Sequence, residues 1–263
     1  MSYLKSIGAD VELFAFDKVN NTHKSLCVLI GGTKEKQMQI KELPLGFALQ
    51  EDNVSVEYNI PSCSTGTSWR QSHEAVLSHI NKLLLKKGFR ISKDASASFI
   101  DTELTHPNAL VFGCEPDYNA WSKMENSKPQ CDDKNLRTAG GHIHVGTDMN
   151  MLDGIKQMDL FLGIPSIILD STPASQARRQ LYGKAGAMRP KSYGFEYRVL
   201  SNFWIFNPEL VDWAFQATRK AIQDPRKITN KQAKDIQHAI NTGDQNAAKD
   251  IMSNYGLTLP LIA

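Results

Sequence analysis

Four short segments carry charged or polar side chains two residues apart, the spacing that puts them on one face of a β-strand. In Gly8-Ala-Asp-Val-Glu-Leu-Phe-Ala-Phe16, Asp10 and Glu12 share one face, which Phe14 and Phe16 continue, and Val11, Leu13 and Ala15 share the other. In Val54-Ser-Val-Glu-Tyr-Asn-Ile60, Ser55, Glu57 and Asn59 lie opposite Val54, Val56, Tyr58 and Ile60. In Gly141-His-Ile-His-Val-Gly146, His142 and His144 lie together, and in Phe195-Glu-Tyr-Arg-Val199 so do Glu196 and Arg198. One such face in an antiparallel sheet is often simply solvated. Four of them, rich in Asp, Glu and His, point instead to a site. Neighbouring carboxylates repel unless a cation neutralises them. Several carboxylates with one imidazole suit Mg²⁺ or Mn²⁺, since hard ions prefer oxygen.

A second constellation spans residues 176–194, where Arg178, Arg179, Lys184, Arg189 and Lys191 stand among Gly183, Gly186 and Gly194. Glycines let a backbone approach a ligand, and arginines clamp phosphate with paired donors. The segment leads directly into the Glu196/Arg198 strand, which favours phosphate binding over a plain basic loop. It matches neither the GxxxxGK[ST] phosphate loop nor a dinucleotide fingerprint, so a nucleotide held here is held in another way. On the residues alone a metal-dependent hydrolase also stands, with His142, His144 and Glu12 around a zinc or manganese ion. So does a protein that binds nucleotide without turnover.

The elements that must position these residues follow from periodicity and punctuation. Residues 6–16 and 24–60 read as strand-rich. Residues 68–87 read as a helix with Ser68 and Gln71 as a capping box, an apolar stripe of Val76, Ile80, Leu83 and Leu84, and Gly88 closing it. A further strand is expected within 89–100. Residues 104–138, polar and containing Trp121, read as a long loop, the candidate for substrate selection. A strand follows over 139–147, then a helix over 151–169 that Pro165 should kink or end, and a strand over 193–204. From Pro208 on the chain reads as three helices, the last capped by Asp244 and closed by Gly256. This is an α+β pattern, an antiparallel sheet with helices on one side, in one domain over 1–263 with 207–263 as a helical segment.

Composition narrows the function classes. With 263 residues and a net charge of +2, the chain carries no general argument for nucleic acid or membrane binding. The apolar run around 158–169 is broken by Asp159, Gly163 and Pro165 and is too short to span a bilayer. The start lacks the features of a secretory signal. Cys27, Cys63, Cys114 and Cys131 form no CxxC pair and read as reduced thiols in a cytoplasm. His23, His73, His79 and His238 read as surface residues, His106 as structural or exposed, Asp148 and Asp170 as loop or helix-end residues, and Trp204 and Trp213 as core.

Four segments together resemble the phage carboxylate–amine ligases of the glutamine synthetase-like superfamily, the group called phiEco32-like COOH·NH₂ ligase type 2. They are Gly8-Ala-Asp-Val-Glu12, Val56-Glu-Tyr-Asn59, Gly140-Gly-His-Ile-His-Val-Gly146, and the run from Tyr182 to Arg198. The resemblance covers roughly residues 6–206. It implies an antiparallel sheet curved into a funnel, and an ATP-dependent reaction in which a substrate carboxylate is phosphorylated and an amine then displaces phosphate. It further implies divalent ions held by Glu12, Glu57, Glu196 and His142. His144 and Arg198 would contact phosphate, and Arg179 and Arg189, with Lys184 nearby, would neutralise the transferring group. Asp10 stands where relatives carry glutamate, which leaves its reach to a metal and the number of ions open. The substrates are small-molecule or peptide carboxylates and amines. A homo-oligomer is compatible, and the expected location is the cytoplasm, that of the host if the chain is phage-encoded.

Overall fold

The computed structural model describes residues 3–110 and 117–262. Cys114 and part of the expected 104–138 loop therefore lie outside the described residues. The strands are β1 (Leu4–Leu13), β2 (Ala15–Asp17), β3 (Thr22–Lys24), β4 (Met38–Gln39), β5 (Ala48–Asp52), β6 (Ser55–Asn59), β7 (Phe89–Ile91), β8 (Ser96–Ser98), β9 (Tyr118–Asn119), β10 (Leu136–Thr138), β11 (Gly141–Thr147), β12 (Ala187–Lys191) and β13 (Gly194–Tyr197). The α-helices are α1 (Gly66–Lys86), α2 (Pro107–Leu110), α3 (Met151–Met158), α4 (Ile164–Leu169), α5 (Pro173–Leu181), α6 (Pro208–Gln223), α7 (Asn230–Thr242) and α8 (Gln245–Tyr255).

Eight strands form one antiparallel sheet in the order β4-β5-β6-β1-β11-β13-β12-β9. The α+β expectation is borne out. Alternation divides this sheet into two faces. Ile7, Val11, Leu13, Val56, Tyr58, Ile143, Val145, Phe195 and Tyr197 are fully buried and share one core with apolar residues of α1, α3, α4, α6, α7 and α8. Trp69 of α1 stacks on Trp204 with ring centroids 5.5 Å apart, in the same core. Such a pair adds about 1 kcal/mol beyond the area it buries. The polar positions are left on the opposite face.

Pairing register turns those positions into rows. Glu12 pairs with Glu57, which pairs with Gln50. Asp10 pairs with Asn59 on one side and His142 on the other. His144 pairs with Glu196, which pairs with Arg189. Side chains from strands as far apart in sequence as β1 and β11 are thus brought within contact by hydrogen-bond register.

Several expected elements differ. The α1 cap is Thr65, whose Oγ1 accepts from the Ser68 backbone N–H at 3.1 Å, rather than Ser68 itself. Gly88 closes the helix with φ +83° as expected. His73 is not on the surface. It lies in the buried stripe of α1, against Trp69 and Trp204, with Nδ1 2.8 Å from the Tyr58 hydroxyl. Burial pushes its imidazole down to about 3, so it is neutral.

Pro165 does not end the 151–169 helix. A π turn over Asp159–Gly163 widens the ladder just before it, and Pro165 falls in the first turn of α4, where no intrahelical N–H is required. The 104–138 stretch holds α2, β9 and β10, and Trp121 is pinned by its Nε1–H donating to buried Asp159 at 2.6 Å. Residues 176–192 are not a loop. They form the end of α5, a tight turn and β12. The strand expected over 193–204 is confined to β13 and gives way to a 3₁₀ turn at Asn202–Phe206. The three C-terminal helices are present, with Asp244 capping α8 and Gly256 closing it at φ +62°.

Candidate active site

The site lies on the polar face of the sheet, where β1, β6, β11 and β13 run side by side. Asp10 is its centre. Its Oδ1 lies 3.0 Å from His142 Nδ1 and its Oδ2 lies 2.9 Å from His144 Nε2. Burial alone would push this carboxyl up, but the two imidazoles hold it well below the usual range. Asp10 in turn raises the His144 imidazole against the opposing effect of burial. The Tyr193 hydroxyl lies 2.6 Å from His144 Nδ1 and fixes the ring from its other side.

Glu196 is fully buried and surrounded by cations. Arg198 Nη1 donates to its Oε1, Lys191 Nζ lies 2.9 Å and Arg189 Nη1 3.7 Å from its Oε2, and His142 Nδ1 is 3.6 Å from Oε1. Burial and Asp10 push the Glu196 carboxyl up, but Arg198 and the two imidazoles overcome them and hold it at about 2. It is ionised at any physiological pH.

The second acidic group behaves in the opposite way. One oxygen each from Glu12, Asp52 and Glu57 lie within 4.8 Å of one another. Burial, and then Asp10, Glu12, Asp52 and Glu196, push Glu57 well above the usual carboxylate range. Burial and Glu12 push Asp52 up to about 6. Gln50 donates to Glu57 at 2.9 Å, and the Gly140 N–H donates to Glu12 at 2.6 Å. These neutral donors orient the carboxylates without cancelling their charge. Three oxygen donors at close range, with burial and mutual repulsion outweighing the attraction of Lys34, His142 and Arg198 at Asp52, fit a hard divalent cation. One oxygen or ring nitrogen each from Asp10, His144 and Glu196 form a second group within 4.8 Å, with the mixed N/O donors that Mg²⁺ or Mn²⁺ accept.

Beside these groups a cavity of about 680 Å³, open solvent included, is lined by Glu12, Asp52 and His142 together with Arg137, Arg178 and Arg198. Arg178 is buried. Its Nη1 donates to the Val199 carbonyl at 3.0 Å, while its Nε has no hydrogen-bond partner among the described residues, and burial pulls the guanidinium down to about 10. Gly183, at φ +70°, is required here, since a Cβ would come 2.4 Å from the Val199 carbonyl oxygen and 2.6 Å from Arg178 Nη1. Gly140 is equally constrained, because a Cβ would meet His142 Nε2 at 2.3 Å.

Asp10, Glu12, Glu57, His142, His144, Arg189, Glu196 and Arg198 thus converge. Arg179 and Lys184 do not join them. Successive helical residues point about 100° apart, so Arg178 of α5 reaches the cavity while Arg179 lies 4.0 Å from Asp170. Lys184 lines a neighbouring groove. The His142/His144/Glu12 constellation of a hydrolase is not formed, because both imidazoles engage Asp10 while Glu12 groups with Asp52 and Glu57. Asp170 is a helix-end residue, accepting from Ser175 and, at 2.8 Å, from Ser201. Asp148 is an exposed partner of Lys5.

Asp52, Gln50 and Asp117 were not foreseen as site residues, whereas Arg178 belongs to the basic segment expected to bind phosphate. For Gln50 and Asp52 the signal was present, since they share a strand face in Ala48-Leu-Gln-Glu-Asp52. Asp117, 3.7 Å from Arg198 Nε, lies on no periodic element and left no such signal.

The family model of the phage phiEco32-like COOH·NH₂ ligase type 2 matches residues 135–259, so the resemblance read from the sequence is borne out over that span. The span contains His142, His144, Arg189, Glu196 and Arg198, while Asp10, Glu12, Asp52 and Glu57 precede it. No curated protein matches the chain. Among solved structures, the one described as "Apo GmaS without ligand" is similar over 98% of this chain and 70% of its own, at 9% identity and a TM-score of 0.39.

Proposed function

With the match to the phage phiEco32-like COOH·NH₂ ligase type 2 family as premise, we propose that this chain is an ATP- and Mg²⁺-dependent carboxylate–amine ligase. The amide forms through an acyl phosphate. The observation that carries this reading is the pairing of two acidic donor groups with a row of guanidinium and ammonium groups on one sheet face.

Glu12, Asp52 and Glu57 would hold one divalent ion, Mg²⁺ or Mn²⁺, and Asp10, Glu196 and the imidazole of His144 or His142 a second. When bound, nucleotide and metal supply the phosphoryl group and the positive charge that neutralises it during transfer. The protein's part is positioning and charge. Arg189, Lys191 and Arg198 already crowd Glu196. A divalent ion held by Glu196 would neutralise its charge, and Arg189, Lys191 and Arg198, which lie around it, would be placed to contact phosphate oxygens. Arg178 lines the cavity and its Nε has no hydrogen-bond partner among the described residues, which suits an anionic substrate group. Asn59 Nδ2 is buried with no partner among the described residues, on the strand face beside Asp10, and suits a substrate carbonyl. Ionising Asp52 and Glu57 costs the folded state stability, as is usual in a preorganised centre.

The test is release of ADP and phosphate that depends on both an added carboxylate and an added amine. Glu196→Gln keeps the side-chain shape and removes the charge that the three cations surround, so it should fold and lose more than about 100-fold in turnover. Tight ATP binding by the wild type with no turnover on any carboxylate–amine mixture would instead identify a nucleotide-binding protein without ligase activity.

A further inference from the structure

We infer that the groove beside the acidic site binds an anionic, peptide-like arm of the carboxylate substrate, an inference that rests on the ligase reading. The groove has a volume of about 1170 Å³, open solvent included, and shares Asp117, Tyr182 and Gly183 with the cavity of the site. A molecule whose reacting carboxylate enters the cavity therefore has the groove as its continuation.

Among the described residues the groove carries two ammonium groups, Lys128 and Lys184, and one carboxylate. Lys184 is half-buried, and burial and then the neighbouring Arg179 pull its ammonium down. Among the described residues neither Lys184 nor Lys128 has an ion-pair partner. Among the described residues that carboxylate is Asp117, which is already engaged. It accepts from Asn126 Nδ2 at 2.9 Å and lies 3.7 Å from Arg198 Nε. A half-buried ammonium facing a guanidinium gains from an incoming anion, which supplies the charge partner that the fold withholds. Gln130 and Gln180 add side-chain amides to the wall. Each can donate to a peptide carbonyl and accept from a peptide N–H. The groove lacks the carboxylate groups that would hold metal-bound phosphates, and Arg189 and Lys191 are not on its wall. These features match an acidic peptide better than a nucleotide.

The experiment is calorimetric titration of the full-length protein with triglutamate, triglutamine and Mg·ADP, for the wild type and the Lys128→Gln/Lys184→Gln double variant. Both lysines are away from the core, and circular dichroism checks that the variant folds. The wild type should bind triglutamate more tightly than triglutamine, with an affinity that falls as salt rises. The double variant should weaken triglutamate by about tenfold and leave Mg·ADP unchanged. Equal binding of the two peptides, an unaltered triglutamate affinity in the variant, or a loss of Mg·ADP affinity in its place would each overturn the inference. Failure of the wild type to bind Mg·ADP would sink the ligase reading separately, since the peptide titrations are read without nucleotide.

Discussion

Replacing Asp52 with asparagine should stabilise the metal-free protein while impairing its metal-dependent activity. Asp52 is pushed from 3.8 up to about 6, first by burial and then by Glu12. At about 1.4 kcal/mol for each tenfold change in proton affinity, the ionised carboxylate costs the folded state about 3 kcal/mol. The sign follows from linkage: a raised folded-state value means that the folded protein holds this proton more tightly than the unfolded chain. The contribution is complete below about pH 4 and is lost as pH rises through about 6. Asparagine carries no such charge. In urea denaturation with EDTA present, Asp52→Asn should therefore gain on the wild type as pH rises, by about 3 kcal/mol between pH 4 and pH 7. Added Mg²⁺ should stabilise the wild type at neutral pH and do much less for the variant, because an ion bound to the folded state offsets the same repulsion. Parallel stability–pH curves, or a variant less stable than the wild type at pH 7 without metal, would refute the claim that Glu12, Asp52 and Glu57 are held together under net repulsion.

Two other substitutions separate phosphate contact from packing. Arg189→Lys keeps the charge near Glu196 but loses the planar paired donor; kcat should fall more than about tenfold with Mg·ATP affinity within a few-fold, measured by coupled ADP release. His73→Leu removes the buried partner of the Tyr58 hydroxyl and should cost about 1–3 kcal/mol in urea denaturation without changing turnover, since both residues lie on the core side of the sheet. Because burial holds His73 at about 3, the stability it contributes at neutral pH is lost as pH falls from about 6.5 toward 3, and the leucine variant should show a shallower acid slope.

The parts of the site that lie on strands were legible because period two is unambiguous. Asp10, Glu12, Glu57, His142, His144, Glu196 and Arg198 were found by counting alone, and the apolar alternates Val11, Val56, Ile143 and Phe195 located the core behind them. Register was not legible. That Asp10 faces His142, or Glu12 faces Glu57, depends on pairing between distant segments. So did the rank of Asp10. Its short arm made it the weakest expected member, yet it bridges both imidazoles. Helix α5 misled for a related reason. As members of one basic, glycine-dotted segment its arginines look equivalent, whereas helical geometry sends Arg178 to the cavity and Arg179 to Asp170. His73 looked like a surface residue because its helix face also carries Val76 and Ile80, and a polar residue in an apolar stripe can be read either way until the tryptophans that enclose it are placed.

The central claim is that a carboxylate is activated by phosphoryl transfer and captured by an amine. The most direct test is incubation with ATP, Mg²⁺ and an amino-acid and peptide mixture whose carboxylates carry ¹⁸O, followed by mass spectrometry of products and phosphate. The account predicts a product lighter by one water than the sum of its two precursors, with ¹⁸O transferred from carboxylate to inorganic phosphate in step with ADP release. ADP release with unlabelled phosphate and no condensed product, or condensation without ATP consumption, would contradict it.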